Sequence, residues 1–146
     1  MLLFTAMPGS KKMSPLIVLR FIWAVLILGE LSFAGIVTMV LWPQRTAPPD
    51  LVAAQNMTIV ATVMMLVLLP LAFVIRRMVY RPGPNGQITP GKYLTGNIIF
   101  YTMCDSVAMT GLIAMFLHGG PGGAVIVPAI AVAMQIVNYP SGTALS

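Results

Sequence analysis

The sequence predicts an all-α integral membrane protein: a four-helix bundle built as two hairpins, with both termini cytoplasmic. Three observations carry this. Apolar residues make up 58% of the 146 residues and charged residues 8%, against about 45–50% and about 25% in an average soluble domain. Four apolar runs, each bounded by turn residues, fill most of the chain. Seven of the eight Lys and Arg residues fall on the side where those runs place both termini. Eleven charged side chains cannot cover a soluble globule of this size. A soluble enzyme, a soluble nucleic-acid binder and a disordered chain are therefore excluded. The net charge of +5 points to no nucleic-acid partner, because the basic residues flank apolar runs instead of forming one patch. One cysteine allows no intrachain disulfide and no four-thiolate zinc site.

A membrane-crossing helix needs about 20 mainly apolar residues, because the hydrocarbon core is about 30 Å thick and a helix rises about 1.5 Å per residue. The first such run is 16–42, interrupted only by Arg20 and Glu30. It stops at Trp42-Pro43-Gln44-Arg45, where Trp suits the interface and Pro cannot continue a helix. The run exceeds a signal-peptide core of about 7–15 residues. Met13-Ser14-Pro15 offers an alternative start, which would leave 1–12 as a weakly structured leader. The second run is 52–75, closed by Arg76-Arg77, and Pro70 within it predicts a kink. Asn56-Met57-Thr58 matches a glycosylation sequon but lies too close to this helix to serve as an acceptor. The loop 76–92 carries Pro82-Gly83-Pro84-Asn85-Gly86 and Thr89-Pro90-Gly91, turn chemistry that separates the two hairpins. The third run is 93–117, with one charge, Asp105. The fourth is 124–139, short for a span, with Pro128 in its first turns.

The threading follows from the basic residues. Lys11, Lys12 and Arg20 flank the first helix, and Arg76, Arg77, Arg81 and Lys92 occupy the middle loop. The first hairpin loop holds only Arg45, offset by Asp50. The positive side is cytoplasmic, so both termini and loop 76–92 are expected inside. Arg76, Arg77 and Arg81 read as topology anchors, with an anionic-lipid contact as the alternative.

Two of the three acids lie inside apolar runs. Helix one reads Leu28-Gly29-Glu30-Leu31-Ser32-Phe33-Ala34-Gly35, and helix three reads Cys104-Asp105-Ser106-Val107-Ala108-Met109-Thr110-Gly111. Each has one acid, then small residues, then a glycine, which outlines a faint internal repeat. Both helices run outward, so both acids are expected near the midplane. A charged residue there costs about 2.5–3.5 kcal/mol on the insertion scale and marks a functional contact by default. The sequence offers no Lys, Arg or His at that depth. Each carboxyl is therefore protonated, or a cation reaches it from outside the chain: a proton, a metal ion, a drug or another subunit's basic residue. Three readings stay open. The acids are neutral polar glue worth about 1 kcal/mol, a partner-subunit contact, or a transport site.

Thr102, Ser106, Thr110 and Ala114 recur every four residues and so share one face of helix three, a candidate packing face. Gly29, Ser32 and Gly35 form a similar small-residue surface around Glu30. His118 reads as an interfacial residue at the outer end of helix three. The glycine-rich stretch 119–123 is a hairpin turn without the Lys-Ser/Thr of a phosphate loop. Cys104, central in a helix, is expected to be inert. The twelve methionines suit adaptable packing and form no MxxM pairs.

The layout resembles small uncharacterised four-helix bacterial integral membrane proteins: a basic N-terminal flank, an Arg-rich central loop and an acid in helix three. That resemblance implies no activity. The embedded Glu30 in helix one is also similar to the small multidrug exporters. Those chains are shorter, lack an acid in helix three, and in some cases thread both ways, which the charge bias here opposes. The duplicated rotor-ring subunit of rotary ATPases likewise has two hairpins and buried carboxylates. It carries its acids on the second helix of a hairpin, whereas Glu30 and Asp105 are on the first.

The functional expectation is a non-catalytic accessory or structural subunit of a larger bacterial membrane complex, a bioenergetic one being the kind expected. It would sit as a multi-pass protein of the inner membrane, with the bilayer and other membrane subunits as partners and no cofactor. The alternative is a small proton- or cation-coupled transporter using Glu30 and Asp105.

Overall fold

The structure, a computed structural model, describes residues 14–41, 43–44, 50–82, 86–119 and 123–142. Lys11, Lys12, the alternative start at Met13, Trp42, Arg45 and residues 120–122 of the glycine turn lie outside the described residues. Among the described residues the protein is all-helical. Helix α1, Pro15–Ile36, runs on into a π-helical turn, Val37–Leu41. Helix α2 is Leu51–Val79 and α3 is Pro90–His118. A 3₁₀ turn, Gly123–Val125, leads into α4, Ile126–Val137. The first three are long and apolar enough to cross a membrane.

Local chemistry sets the helix starts. Ser14 Oγ accepts from the Ile17 amide at 3.4 Å, and Pro15 occupies the first turn, where its missing N–H is not needed. Asp50 accepts from the amides of Val52 and Ala53 at 3.1 and 3.0 Å, so the third acid is a helix cap. Thr89 and Pro90 start α3 one turn earlier than the apolar run alone indicates. Helix α3 ends at Gly119, whose φ of 66° only glycine adopts without strain. Helix α2 is continuous across the exposed Pro70 and extends one turn past Arg76-Arg77.

Helix α3 is the centre of the bundle and packs against the other three. Its most apolar stretch has a mean hydropathy of 1.6, against 2.2 for the first span and 2.7 for α2. The least apolar span is thus the one surrounded by protein, while α1 and α2 expose Phe21, Leu28, Leu66 and Val67. Phe100, Cys104, Val107 and Ala108 form the core, where Phe73 meets Phe100 edge-on at 4.9 Å. Two glycines permit the close approaches. A Cβ on Gly96 would stand 2.7 Å from the Tyr80 ring, and one on Gly111 would stand 2.5 Å from Pro128 Cδ.

The fourth element is shorter than the sequence indicates. The 3₁₀ turn and α4 together rise about 24 Å, less than the hydrocarbon core. A non-helical segment, 138–142, then continues toward the starts of α3 and α1. Side chains supply donors to carbonyls of this segment and of the last turn of α4 before it. Trp23 Nε1 donates to Gln135 O at 2.9 Å, Tyr101 OH to Asn138 O at 2.6 Å, and Arg20 to the carbonyls of Pro140 and Ser141 at 3.2 and 3.4 Å. The Gly142 amide donates to Tyr93 OH at 3.2 Å. Backbone carbonyls that leave a helix need such partners wherever water is excluded.

Arg76 is more than a flanking charge. Its guanidinium donates to Asn138 Oδ1 at 2.8 Å and lies over the rings of Tyr80 and Phe100, at 5.2 and 5.1 Å. Arg77 and Arg81 are exposed. Beside Arg76, Asn97 Nδ2 donates to Tyr80 OH and to Tyr93 O. Burial pushes the Tyr80 hydroxyl above its ordinary value, which keeps it protonated. We expect Arg76→Gln to cost about 1.5–3 kcal/mol, the worth of a hydrogen bond to a charged group. Arg77→Gln should cost almost nothing. Thermal melts of the two variants in detergent, followed by helical circular dichroism, provide the check.

Candidate functional site

Helices α1 and α3 each begin with a proline at the same end of the bundle, and each carries its acid fifteen residues later. At about 1.5 Å per residue both acids stand about 22 Å along their helices. The structure brings them together: the Glu30 and Asp105 carboxyl groups interact with one another. Glu30 is 2% exposed, whereas Asp105 is only partly buried.

A third member comes from α4. Gln135, fully buried, donates through Nε2 to Glu30 Oε1 at 2.5 Å. The trio therefore ties α1, α3 and α4. Two of its atoms are buried without a hydrogen-bond partner, Glu30 Oε2 and Gln135 Oε1. A buried polar group left unsatisfied costs about 1–3 kcal/mol. Both orphans are acceptors, so what the site lacks is a donor. A proton on Glu30 supplies one, and so does a cation arriving from outside.

The route to Glu30 is an open cleft of about 330 Å³ between α1, α3 and α4. Its walls are apolar, built from residues such as Leu31, Ala34, Leu112, Met115, Val132 and Ile136, and Glu30 is the one ionisable residue lining it. On α1, outside the walls of the cleft, Gly29 and Gly35 have no heavy atom of the described residues within 4 Å of where a Cβ would stand. Among the described residues nothing fills the space beside either glycine.

The hydroxyl stripe on α3 is placed differently. Thr102, Ser106 and Thr110 each donate back to the carbonyl four residues earlier, at 2.9, 2.8 and 2.8 Å. Thr102 is exposed, Ser106 and Thr110 are partly buried, and only Ala114 is fully buried. Within this chain the close approaches of α3 are made at Gly96 and Gly111 instead. We therefore expect Ser106→Leu to leave the isolated chain as heat-stable as the parent in detergent melts, and to act only where another chain packs on that face.

His118 Nε2 lies 3.0 Å from Thr58 Oγ1, joining the C-terminal end of α3 to the N-terminal part of α2. Cys104 is buried and free. No group of three or more potential metal ligands occurs among the described residues. Sequence reasoning missed Gln135 and the buried Asn97. Gln135 had a readable signal, since a side-chain amide inside the apolar run 124–139, ahead of Asn138 at its end, carries the same kind of desolvation cost that singled out the acids. Comparison of the chain with family models, with curated proteins and with solved structures returned no match.

Proposed function

We propose that the protein is a non-catalytic subunit of a larger bacterial membrane assembly. It threads the inner membrane with both termini cytoplasmic and joins its neighbours through the face that carries Glu30. One observation supports this above the others: an open apolar cleft that ends on a buried carboxyl with an unpartnered oxygen. A chain that worked alone would gain by closing that opening. The unfilled surface at Gly29 and Gly35 beside it is the kind on which another helix packs closely. Purification in a mild detergent tests the reading: co-migration with a fixed set of other chains is expected, and a homogeneous homo-oligomer would sink it.

One observation favours a second reading. Two carboxyl groups close enough to interact, with Arg20 and Arg76 committed to the tail 138–142, form a site that a proton or cation could occupy in a small coupled transporter.

The threading has its own test. In a Cys104→Ala background, cysteine at Ala47 should react with an impermeant thiol reagent added to whole cells, and cysteine at Gln87 should not. The reverse pattern would overturn the orientation.

A further inference from the structure

We propose that the cleft beside Glu30 receives one lysine side chain from a transmembrane helix of a partner subunit, its ammonium seated on Glu30. The inference rests on the subunit reading and names what that partner brings.

The volume sets the scale. About 330 Å³ is far too small for a helix, which is about 10–12 Å across. It is ample for one long side chain and the small residues beside it. The apolar walls suit the methylene stem of lysine, which lies along such surfaces while its head seeks polar groups. The end of the cleft suits the head. An ammonium has three donors and no acceptor. There Glu30 lines the cleft and its Oε2 is unpartnered, while Gln135, bonded to Oε1, and Asp105 stand behind it, outside the cleft walls. Arginine, with five donors in a rigid fork, would leave some unsatisfied.

The depth restricts the source. Glu30 is mid-helix, out of reach of a lipid headgroup. Among the described residues a second copy of this chain holds its Lys and Arg away from that depth: Arg20 is engaged with the carbonyls of Pro140 and Ser141, Arg76 with Asn138, and Arg77, Arg81 and Lys92 lie at the end of α2 and the start of α3. A free lipophilic amine carries the same head group. The open Gly29 and Gly35 surface on the same helix favours a helix-borne lysine, because it lets a second backbone come close.

The experiment uses the full chain in phosphatidylcholine nanodiscs, with Trp42→Phe leaving Trp23 as sole indole. Trp23 donates to the Gln135 carbonyl and so reports from beside the site. The probe is a dansyl-labelled Leu/Ala transmembrane peptide of about 23 residues with one central lysine, compared with the same peptide carrying leucine there. Energy transfer from Trp23 should saturate at a roughly tenfold lower ratio of lysine peptide, since an intramembrane charge left unpaired is strongly disfavoured. Glu30→Gln should abolish the preference, and Gln135→Met, a second route should the first variant misfold, should reduce it. Equal transfer from both peptides would overturn the proposal. So would a preference that survives Glu30→Gln, or a site that dodecylamine occupies and the lysine peptide cannot reclaim. Failure of the subunit reading looks different: the parent chain would then co-purify with nothing. If native partners stay bound in Glu30→Gln, the subunit reading stands and the lysine contact does not.

Discussion

Gly111→Leu is expected to abolish the native bundle, and Gly111→Ala to cost about 1–3 kcal/mol. The reason is a contact with no slack. A Cβ at this position would stand 2.5 Å from Pro128 Cδ, 3.0 Å from Pro128 N and 3.2 Å from Val127 Cγ1. A proline ring cannot swing aside as a flexible side chain would. Helix α4 must therefore retreat from α3 as a body, and it carries Gln135 away from Glu30 as it goes. Gly35→Ala is the control: its Cβ meets open space, and alanine favours a helix interior over glycine by about 1 kcal/mol. Thermal melts in one detergent should separate the pair by several degrees in opposite directions. If the two alanine variants melt together, α4 does not pack on α3 as described.

These glycines show how far the sequence could be read. The three long helices follow from length and hydropathy, and their ends from caps that stand openly in the sequence, such as Ser14-Pro15, Asp50 and Thr89-Pro90. Glu30 and Asp105 are legible because a carboxyl in an apolar run is costly. Their common depth follows from both helices rising from the same end. Their contact does not follow, since it depends on how α1 and α3 are rotated about their axes, and hydrophobic periodicity fixes that rotation poorly when lipid and protein interior are both apolar. The same ambiguity explains the hydroxyl stripe. Spacing puts Thr102, Ser106 and Thr110 on one face, yet each satisfies its own hydroxyl within the helix, so nothing obliges the face to turn inward. The 138–142 segment was illegible for another reason. Tyr139 and Pro140 look like the end of a span, and the side chains that bond the last turn of α4 and the unwound backbone, Arg20, Trp23, Tyr93 and Tyr101, come from two other helices.

The polar centre allows a test that separates holding the fold from holding a partner. Glu30→Leu should strand Gln135, leaving both of its buried amide atoms unsatisfied, and should destabilise the chain by about 1–3 kcal/mol. Gln135→Leu should do likewise from the other side. The double variant replaces both partners by apolar groups, which is close to neutral when shape is kept. We expect it to recover most of the lost stability, with a coupling of about 0.5–3 kcal/mol between the two sites. Glue alone predicts that assembly recovers with stability. A partner contact predicts that the double variant melts like the parent and still fails to co-purify with its neighbours, because the carboxyl that met them is gone. Asp105→Asn completes the set. It keeps size and most hydrogen bonding and removes only the titrating charge. A neutral role leaves assembly intact, whereas a buried cation on the partner is weakened by it. Under the transporter reading Asp105→Asn folds and assembles yet abolishes coupled uptake. If Glu30→Leu, Glu30→Gln, Asp105→Leu and Asp105→Asn all fold and assemble like the parent, the three-helix polar centre has no role in either, and the cleft that ends on it loses its meaning as a site.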